Sequence, residues 1–574
     1  MRVDPVTFQV IVSRLSGIVQ EMQDRIFRTG YSTIVRESQD ASCLILDAQG
    51  AVVGEHVIIP LHLACLPEAV RAVRAQFGAD IHPGDAFLTN DPYLGAVPHS
   101  IDIAILTPVF AGARLVAFVG NIAHKSDLGG VLPGTGYAGA REIFQEGVIY
   151  RPVRFVSGGT VCRDIEAIVR ANTRTPELVI GDLHGQVGVA RLGERRLAET
   201  FARYGLETVL AVFLRMQEVA ERRVRSALAA WPDGSFAGES YVENDGIDLE
   251  RRLRYHVRVE KRGDRIAFDL SDTDDQAIGP INILPSTARA ALYFALIGML
   301  DPALPNNGGI ARVVETRFRK GSLLDPIYPA PCNIYMNSAL AVCEAAVAAL
   351  SGFVPERRHA GNGGGGASIL AGRRPDGSTF VQYELICSAY GALAVRDGPS
   401  ATHVLISSGT TAPVEIVETE YPTRMLRFDL IPDSGGPGRF RGGLSPRRAY
   451  EVGAPGMHWS LRAGRHATPP YGIDGGHGGR LGRAIVNPGT PDERALPGRF
   501  SVPVDIGDVV LLEKAGGGGC GDPRRRPFAS VLDDVLDGYV SRGAALADYG
   551  VDAEQLDRAL AEWDRGLLSA VCEA

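Results

Sequence analysis

Between Thr89 and Gly130 the chain reads TNDPYLGAVPHSIDIAILTPVFAGARLVAFVGNIAHKSDLGG, and this stretch restricts the fold more than any other. Two His-x-x-Asp pairs, His99 with Asp102 and His124 with Asp127, bracket two apolar runs. The runs, Ile101 to Pro108 and Leu115 to Val119, are rich in β-branched residues and are joined by Phe110-Ala111-Gly112-Ala113. That pattern predicts a β-hairpin. In an antiparallel hairpin the start of one strand lies beside the end of the other, so both pairs should meet at one end of the sheet. Imidazole nitrogens and carboxylate oxygens suit Zn, Mn or Fe(II). Three such ligands with one open position make a hydrolytic site. Either histidine alone reads equally as a structural residue hydrogen-bonded to its own aspartate; two pairs at one sheet end favour the metal reading.

The rest of the chain is long for one core. Its 574 residues imply two to four domains. Asp4 and Pro5 start a helix with apolar residues at helical spacing from Phe8 to Ile26, and Gly30 stops it. Ile34 to Asp40 leads into a strand over Cys43 to Leu46 that turns at Asp47-Ala48-Gln49-Gly50. Arg36, Glu37 and Asp40 there read either as a surface turn or as a turn carrying Asp40 into a pocket. A short helix is expected over Leu66 to Phe77, and a long helical region from Thr175 to about Trp231, broken at Tyr204-Gly205. Pro232-Asp233-Gly234-Ser235 reads as a turn and a boundary. Beyond it, antiparallel strands (Arg254 to Val259, Arg265 to Leu270) precede helices over Ser286 to Leu300 and Ser338 to Leu350. Gly361 to Gly366 is either a closely approached backbone or a mobile loop, the commoner case. Two short helices, near Phe528–Gly538 and Asp552–Leu567, end the chain. The expectation is an α+β, multi-domain fold with mixed and antiparallel sheets flanked by helices. Its parts are 1–232, the metal-site domain; 233–355, an α+β middle; 356–513, β-rich and glycine-rich; and 514–574, a glycine-rich loop and helical tail.

Composition excludes several function classes. A net charge of −8 gives no basic face for general nucleic-acid binding, and Arg524-Arg525-Arg526 reads as solvated surface. Eight cysteines without a C-x-x-C pair fit buried thiols of a reducing cytosol. The start Met-Arg-Val-Asp-Pro carries no apolar leader, and the longest apolar run, Ala288 to Leu300, contains Arg289 and is too short for a bilayer. A cytoplasmic protein without a membrane anchor is expected. G-x-G-x-x-G occurs at Gly134, Gly361 and Gly516. In a chain with 68 glycines these matches do not indicate a Rossmann site, and no P-loop motif is present. Arg141 to Gly147 is either pocket lining or a helix turn.

Several long motifs resemble the hydantoinase B family. They are Thr89-Asn90-Asp91-Pro92-Tyr93, His99-x-x-Asp102, Ala123-His124-x-x-Asp127-x-Gly129-Gly130 and Glu142 to Gly147. Gly181-Asp182-Leu183, Pro432 to Gly443 and Gly516 to Pro523 belong with them. The resemblance spans essentially the whole chain. It takes in β-subunits of ATP-dependent N-methylhydantoinases and lactamases, the C-terminal half of 5-oxoprolinases, and subunits of acetone and acetophenone carboxylases. It implies a separate hydantoinase A-like partner that binds ATP and phosphorylates the substrate, in a hetero-oligomer containing two copies of this chain. Here a divalent metal, Zn or Mn, would hold the water that attacks the activated carbon. The resemblance implies Asp40, His99, Asp102 and His124 as ligands, with Asp127 and Asp91 orienting His124 and its loop. The expected activity is hydrolysis of a C–N bond in a small cyclic amide. The alternatives are a ketone carboxylase at the same metal site and a non-catalytic scaffold. The chain departs from the family at Val97-Pro98, at Lys125 where a second histidine is common, and at Thr135. Lys125 reads as solvent-facing or as a phosphate contact.

Overall fold

A computed structural model describes residues 3–56 and 60–572. Met1 and Arg2, at the start where no leader is expected, lie outside the described residues, as do the side chains of 55, 56 and 564–572, Cys572 among them. The fold is α+β, with mixed and antiparallel sheets and flanking helices.

The hairpin lies at the centre of the first sheet. The strands are β1 (Ala41–Asp47), β2 (Val52–His56), β3 (Ala86–Thr89), β4 (Asp102–Ala111), β5 (Arg114–His124), β6 (Val153–Ser157) and β7 (Thr160–Val161). Their order is β2-β1-β5-β4-β3-β6-β7, with every neighbour antiparallel. Phe110 and Ala111 belong to β4, so the connection shrinks to Gly112-Ala113, with Gly112 at φ +62° where a side chain would be strained.

Both faces of this sheet are buried, and the period of two sorts the side chains. Leu44, Leu46, Ala104, Leu106, Phe118 and Ile122 pack on the helix His62–Phe77 through Leu66, Ala69 and Val73. Cys43, Ile45, Ala117, Val119 and Ala123 face the helices Pro5–Thr29 and Pro176–Tyr204. Asp102 and His124 fall in the first set by parity, two residues from Ala104 and Ile122. Asp4 caps the first helix from its side chain and Gly30 ends it, as expected. The helix expected from Leu66 begins at His62 and carries Pro67 within it. Pro67 sits near enough to the start that its missing N–H forgoes one helical bond.

The second sheet is mixed: Gly234–Val242, Leu253–Arg262 and Arg265–Asp269 are antiparallel, and Val314–Arg317 runs parallel to the last. Gly234 and Ser235, expected in the turn, already belong to the first of these strands. The helices Pro285–Leu300 and Tyr335–Leu350 pack on this sheet. A third sheet holds Gly366–Arg373, Thr379–Leu385, Met457–Ala463 and Arg499–Val504; a fourth lies between Thr423 and Glu513. The tail has a helix, Arg542–Ala547, between the two that were expected. Arg526 turns inward onto Asp397 and Asp534, while Arg524 and Arg525 stay exposed. Among the described residues no helix is long and apolar enough to cross a membrane.

The glycine runs are packed segments. Gly516 to Gly519 thread between loops from distant parts of the chain, and their N–H groups donate to Arg480, Gly443, Gly361 and His477 carbonyls. A Cβ on Gly516 would lie 1.8 Å from Ser434 O; on Gly517, 1.9 Å from Tyr390 O; on Gly518, 2.0 Å from Tyr471 O. The Gly361 to Gly366 run is close-packed in the same way, with Gly363 opposite Ala515 O at 2.2 Å. The close-approach reading therefore replaces the mobile loop. Gly517→Ala is expected to cost at least about 3 kcal/mol through this clash, lowering soluble yield and melting temperature. Gly188→Ala, in a helix with open space around it, should leave both unchanged or raise them slightly. Scanning calorimetry of the pair checks this.

Candidate metal centre

Asp102 is the first residue of β4 and His124 the last of β5, and the ladder pairs them directly. One turn before Asp102, His99 brings its Nε2 to 3.1 Å from Asp102 Oδ2. Ligand atoms of His99, Asp102 and His124 all lie within 4.8 Å of one another, and all three residues are buried. Asp40 lies just before β1, and its carbonyl accepts from His124 N. It lines the same cavity, with its carboxylate outside the tight group of three. Arg36 and Glu37, its neighbours in the turn, pair with each other and Arg36 also with Glu420.

His99 is held from behind. Its Nδ1 meets Asn333 Oδ1 at 2.8 Å, leaving Nε2 for the cavity. Asn333 is itself fixed: Nδ2 donates to Thr135 O, and its N–H, with that of Cys332, donates to Glu146. Tyr335 packs against His99 at 4.5 Å and Tyr383 against His124 at 4.4 Å between ring centroids, each pair tilted by nearly 60° (58° and 57°). The cavity thus closes where the first sheet, the segment before the helix Tyr335–Leu350 and the third sheet meet. Its volume of about 50 Å³ has room for an ion and several waters.

The electrostatics suit a cation. His99 Nε2, both oxygens of Asp102 and both nitrogens of His124 are buried and, the close approach of His99 and Asp102 to each other apart, have no hydrogen-bond partner. Buried polar atoms are nearly always satisfied, so this concentration of orphans at one point fits a ligand set. Burial pushes the His124 imidazole down to about 3, leaving it neutral with a lone pair to give. Burial alone would raise the Asp102 carboxyl, but His99 and, after it, His62 beside it hold it below its usual range.

These observations meet an independent one. A family model described as Hydantoinase B/oxoprolinase matches residues 4–523. The chain belongs to the hydantoinase B/oxoprolinase family. A putative D-/L-hydantoinase subunit from Pseudomonas sp. (strain NS671) is 31% identical over 579 residues, covering 97% of each chain. The acetophenone carboxylase delta subunit of Aromatoleum aromaticum is 26% identical over 593 residues, covering 96% of this chain and 86% of its own. The crystal structure of ATP-dependent caprolactamase from Pseudomonas jessenii superposes with a TM-score of 0.90 at 29% identity, covering 97% of this chain and 99% of that one.

The family motifs divide into two kinds by what their side chains touch. Asp127 does not orient His124: its carboxylate accepts from the N–H groups of Gly129, Gly134 and Arg174 and from the Arg174 side chain. It organises the loop after β5. Asp91 likewise caps the turn Pro92–Leu94 through Tyr93 N and pairs with Arg151. Neither aspartate reaches His124, because each satisfies local donors first; of the expected role the loop part remains, with Asp127 holding the loop after β5. Lys125 does not face solvent. The alternation that puts His124 in the cavity turns Lys125 to the opposite face, where it is fully buried and donates to Gln186. Asp182 holds Tyr31 N and Ser32, which explains its motif as a brace between helices.

Four residues at the site went unrecognised. Asn333, Tyr335, Tyr383 and Arg462 have no local signal; Arg462 falls at a polar position of the alternating strand Met457–Ala463. His62 is a fifth neighbour: fully buried, it pairs through Nδ1 with Ser42 Oγ and places Nε2 3.8 Å from Asp102 Oδ2.

Glu146 gives a pH test of the support behind His99. Burial pushes its carboxyl up to about 8 from 4.5, against the pull of the Cys332 and Asn333 N–H groups. A folded pKa above the unfolded one contributes stability present below 4.5 and lost as pH rises through 8. The melting temperature of the wild type should therefore fall between pH 5 and pH 8.5 relative to Glu146→Gln. Parallel curves for the two proteins would contradict it.

Proposed function

We propose that this chain is the metal-bearing catalytic subunit of an ATP-dependent complex that hydrolyses the C–N bond of a cyclic amide. The observation that carries the reading is the convergence of His99, Asp102 and His124, whose buried ligand atoms face one another and have no other hydrogen-bond partner. Zn or Mn suits this nitrogen and oxygen set, held by His99 Nε2, an Asp102 oxygen and a His124 nitrogen, with Asp40 beside them. Such an ion supplies Lewis acidity toward a water and a carbonyl oxygen.

The chain's own groups do the rest. Asn333 fixes the His99 ring so that Nε2 faces the cavity. Tyr335 and Tyr383 wall both imidazoles and keep bulk water out. Asp102 holds negative charge where a cation would sit, and Asp40, whose carboxyl burial and the Asp102 charge push up, would ionise beside a bound cation. An amide carbon is a poor electrophile; phosphorylation of its oxygen by a hydantoinase A-like, ATP-binding partner provides a leaving group. Relatives named as subunits support a hetero-oligomer, and two copies of this chain per complex complete the proposal.

A carboxylase reading stands second, on the likeness to the acetophenone carboxylase delta subunit. The reconstituted complex, given ATP with either a cyclic amide or a ketone and bicarbonate, should form product from the amide alone; bicarbonate-dependent product would reverse the order of the two readings. His99→Ala should lose stoichiometric metal and lower turnover by about 10³-fold, in line with several kcal/mol of lost transition-state stabilisation. Elemental analysis beside the assay separates this from a scaffold role, for which activity would persist. Asn333→Leu should weaken metal binding by about 10- to 100-fold while leaving the three ligands in place.

A further inference from the structure

The cavity holds one cation with no anionic partner. Arg462, on the third-sheet strand Met457–Ala463, is 4% exposed and lines the cavity with the two histidines. Most other buried arginines meet a carboxylate: Arg441 pairs with Asp534, and Arg448 lies 3.7 Å from Glu384. Among the described residues no carboxylate lies within 4.0 Å of Arg462. Its guanidinium is clamped by neutral acceptors, Nη1 by Tyr383 Oη at 3.2 Å and Nη2 by the carbonyls of Gly134 and Thr135, while Nε has no partner. Glu146, within reach of its charge, has its oxygens taken by the Cys332 and Asn333 N–H groups. Asn337, on the same cavity wall, is buried with its Nδ2 unpartnered.

Arg462 Nε and Asn337 Nδ2 are thus unused donors on one cavity lining, and a charge-assisted guanidinium N–H together with an amide N–H is a donor set that an oxyanion takes. The charge balance points the same way. The proposed divalent ion offsets Asp40 and Asp102 even with both ionised, so the Arg462 charge is left over. A neutral cyclic amide would leave it uncompensated in a buried site, whereas a ligand bearing a phosphoryl group neutralises it.

We propose that Arg462 and Asn337 form an oxyanion subsite beside the metal ligands that receives the phosphoryl group of the activated substrate, so that the cavity selects the phosphorylated form over the free amide. The assignment of the oxyanion as phosphoryl rests on the function proposed above; the subsite itself rests on the unpaired donors.

Orthophosphate and acetate are the probes, titrated calorimetrically into the full chain, metal-loaded and metal-free, with metal content measured in parallel. Wild type should bind orthophosphate in both states. Arg462→Met should weaken it at least tenfold with metal content unchanged, and Arg462→Lys should fall between, keeping charge without the fork. Asn337→Ala should weaken it as well, and it carries the test if circular dichroism shows that Arg462→Met does not fold. Unchanged orthophosphate affinity in any folded variant overturns the subsite. Acetate bound as tightly as orthophosphate overturns the phosphoryl assignment. Wild type without stoichiometric metal overturns the proposed function instead, and the metal-free titration still judges the subsite.

Discussion

The antiparallel register that sets Asp102 opposite His124 is the constraint on which the site depends. A slip of one residue in either strand would turn every side chain to the other face. Here that error is costly twice over, because both faces are packed: Leu106 and Ile122 belong to one helix layer, and Val119 and Ala123 to the other. Burial of ordinary aliphatic residues thus fixes one carboxylate and one imidazole side by side, to which His99 is added from the turn before β4. The helix His62–Phe77 covers the same face and sets His62, in its first turn, against Asp102, so the hydrophobic layer stops where the polar one begins.

What separates a candidate ligand from a structural aspartate in this fold is whether its oxygens are already in use. Asp127 accepts from a ring of loop donors and Asp182 from the turn between helices, whereas Asp102 has only imidazoles around it. The support for His99 comes from more than two hundred residues further along the chain, through Asn333. Glu146 ties that segment back to the loop that follows β5 by holding two of its backbone N–H groups. The site is therefore a junction, and its geometry is as good as the docking of three separately built layers.

The hairpin and its meeting pairs were legible because period-two burial and strand pairing are local rules. The opposite orientations of His124 and Lys125 follow from the same alternation, although a lysine at the end of a strand carries no local sign that both faces of the sheet are packed. Asp40 was not legible locally: three polar residues in a turn look alike until Arg36 and Glu37 are seen pairing with each other and Glu420. Asn333, Tyr335 and Tyr383 were invisible because their role comes from tertiary placement and leaves no spacing in the sequence. The glycine runs were ambiguous for a different reason. Glycine marks both freedom and close approach, and only the neighbours tell which.

Those glycine segments also bear on how the molecule is assembled. Gly516 to Gly519 bond to backbone near 361, 443 and 477 and lie against Tyr390, Ser434 and Tyr471, so the partners of four consecutive residues span over a hundred positions. Contacts of such sequence separation form late and slowly. Until they form, several loops of the β-rich half lack the segment that completes their hydrogen bonding. That half includes Arg462 and Tyr383, so the cavity walls reach their final spacing only once a stretch with no side chains of its own has been threaded through the middle. The final spacing of the cavity walls thus depends on the backbone crossing at Gly516 to Gly519, far along the chain from the ligands it serves.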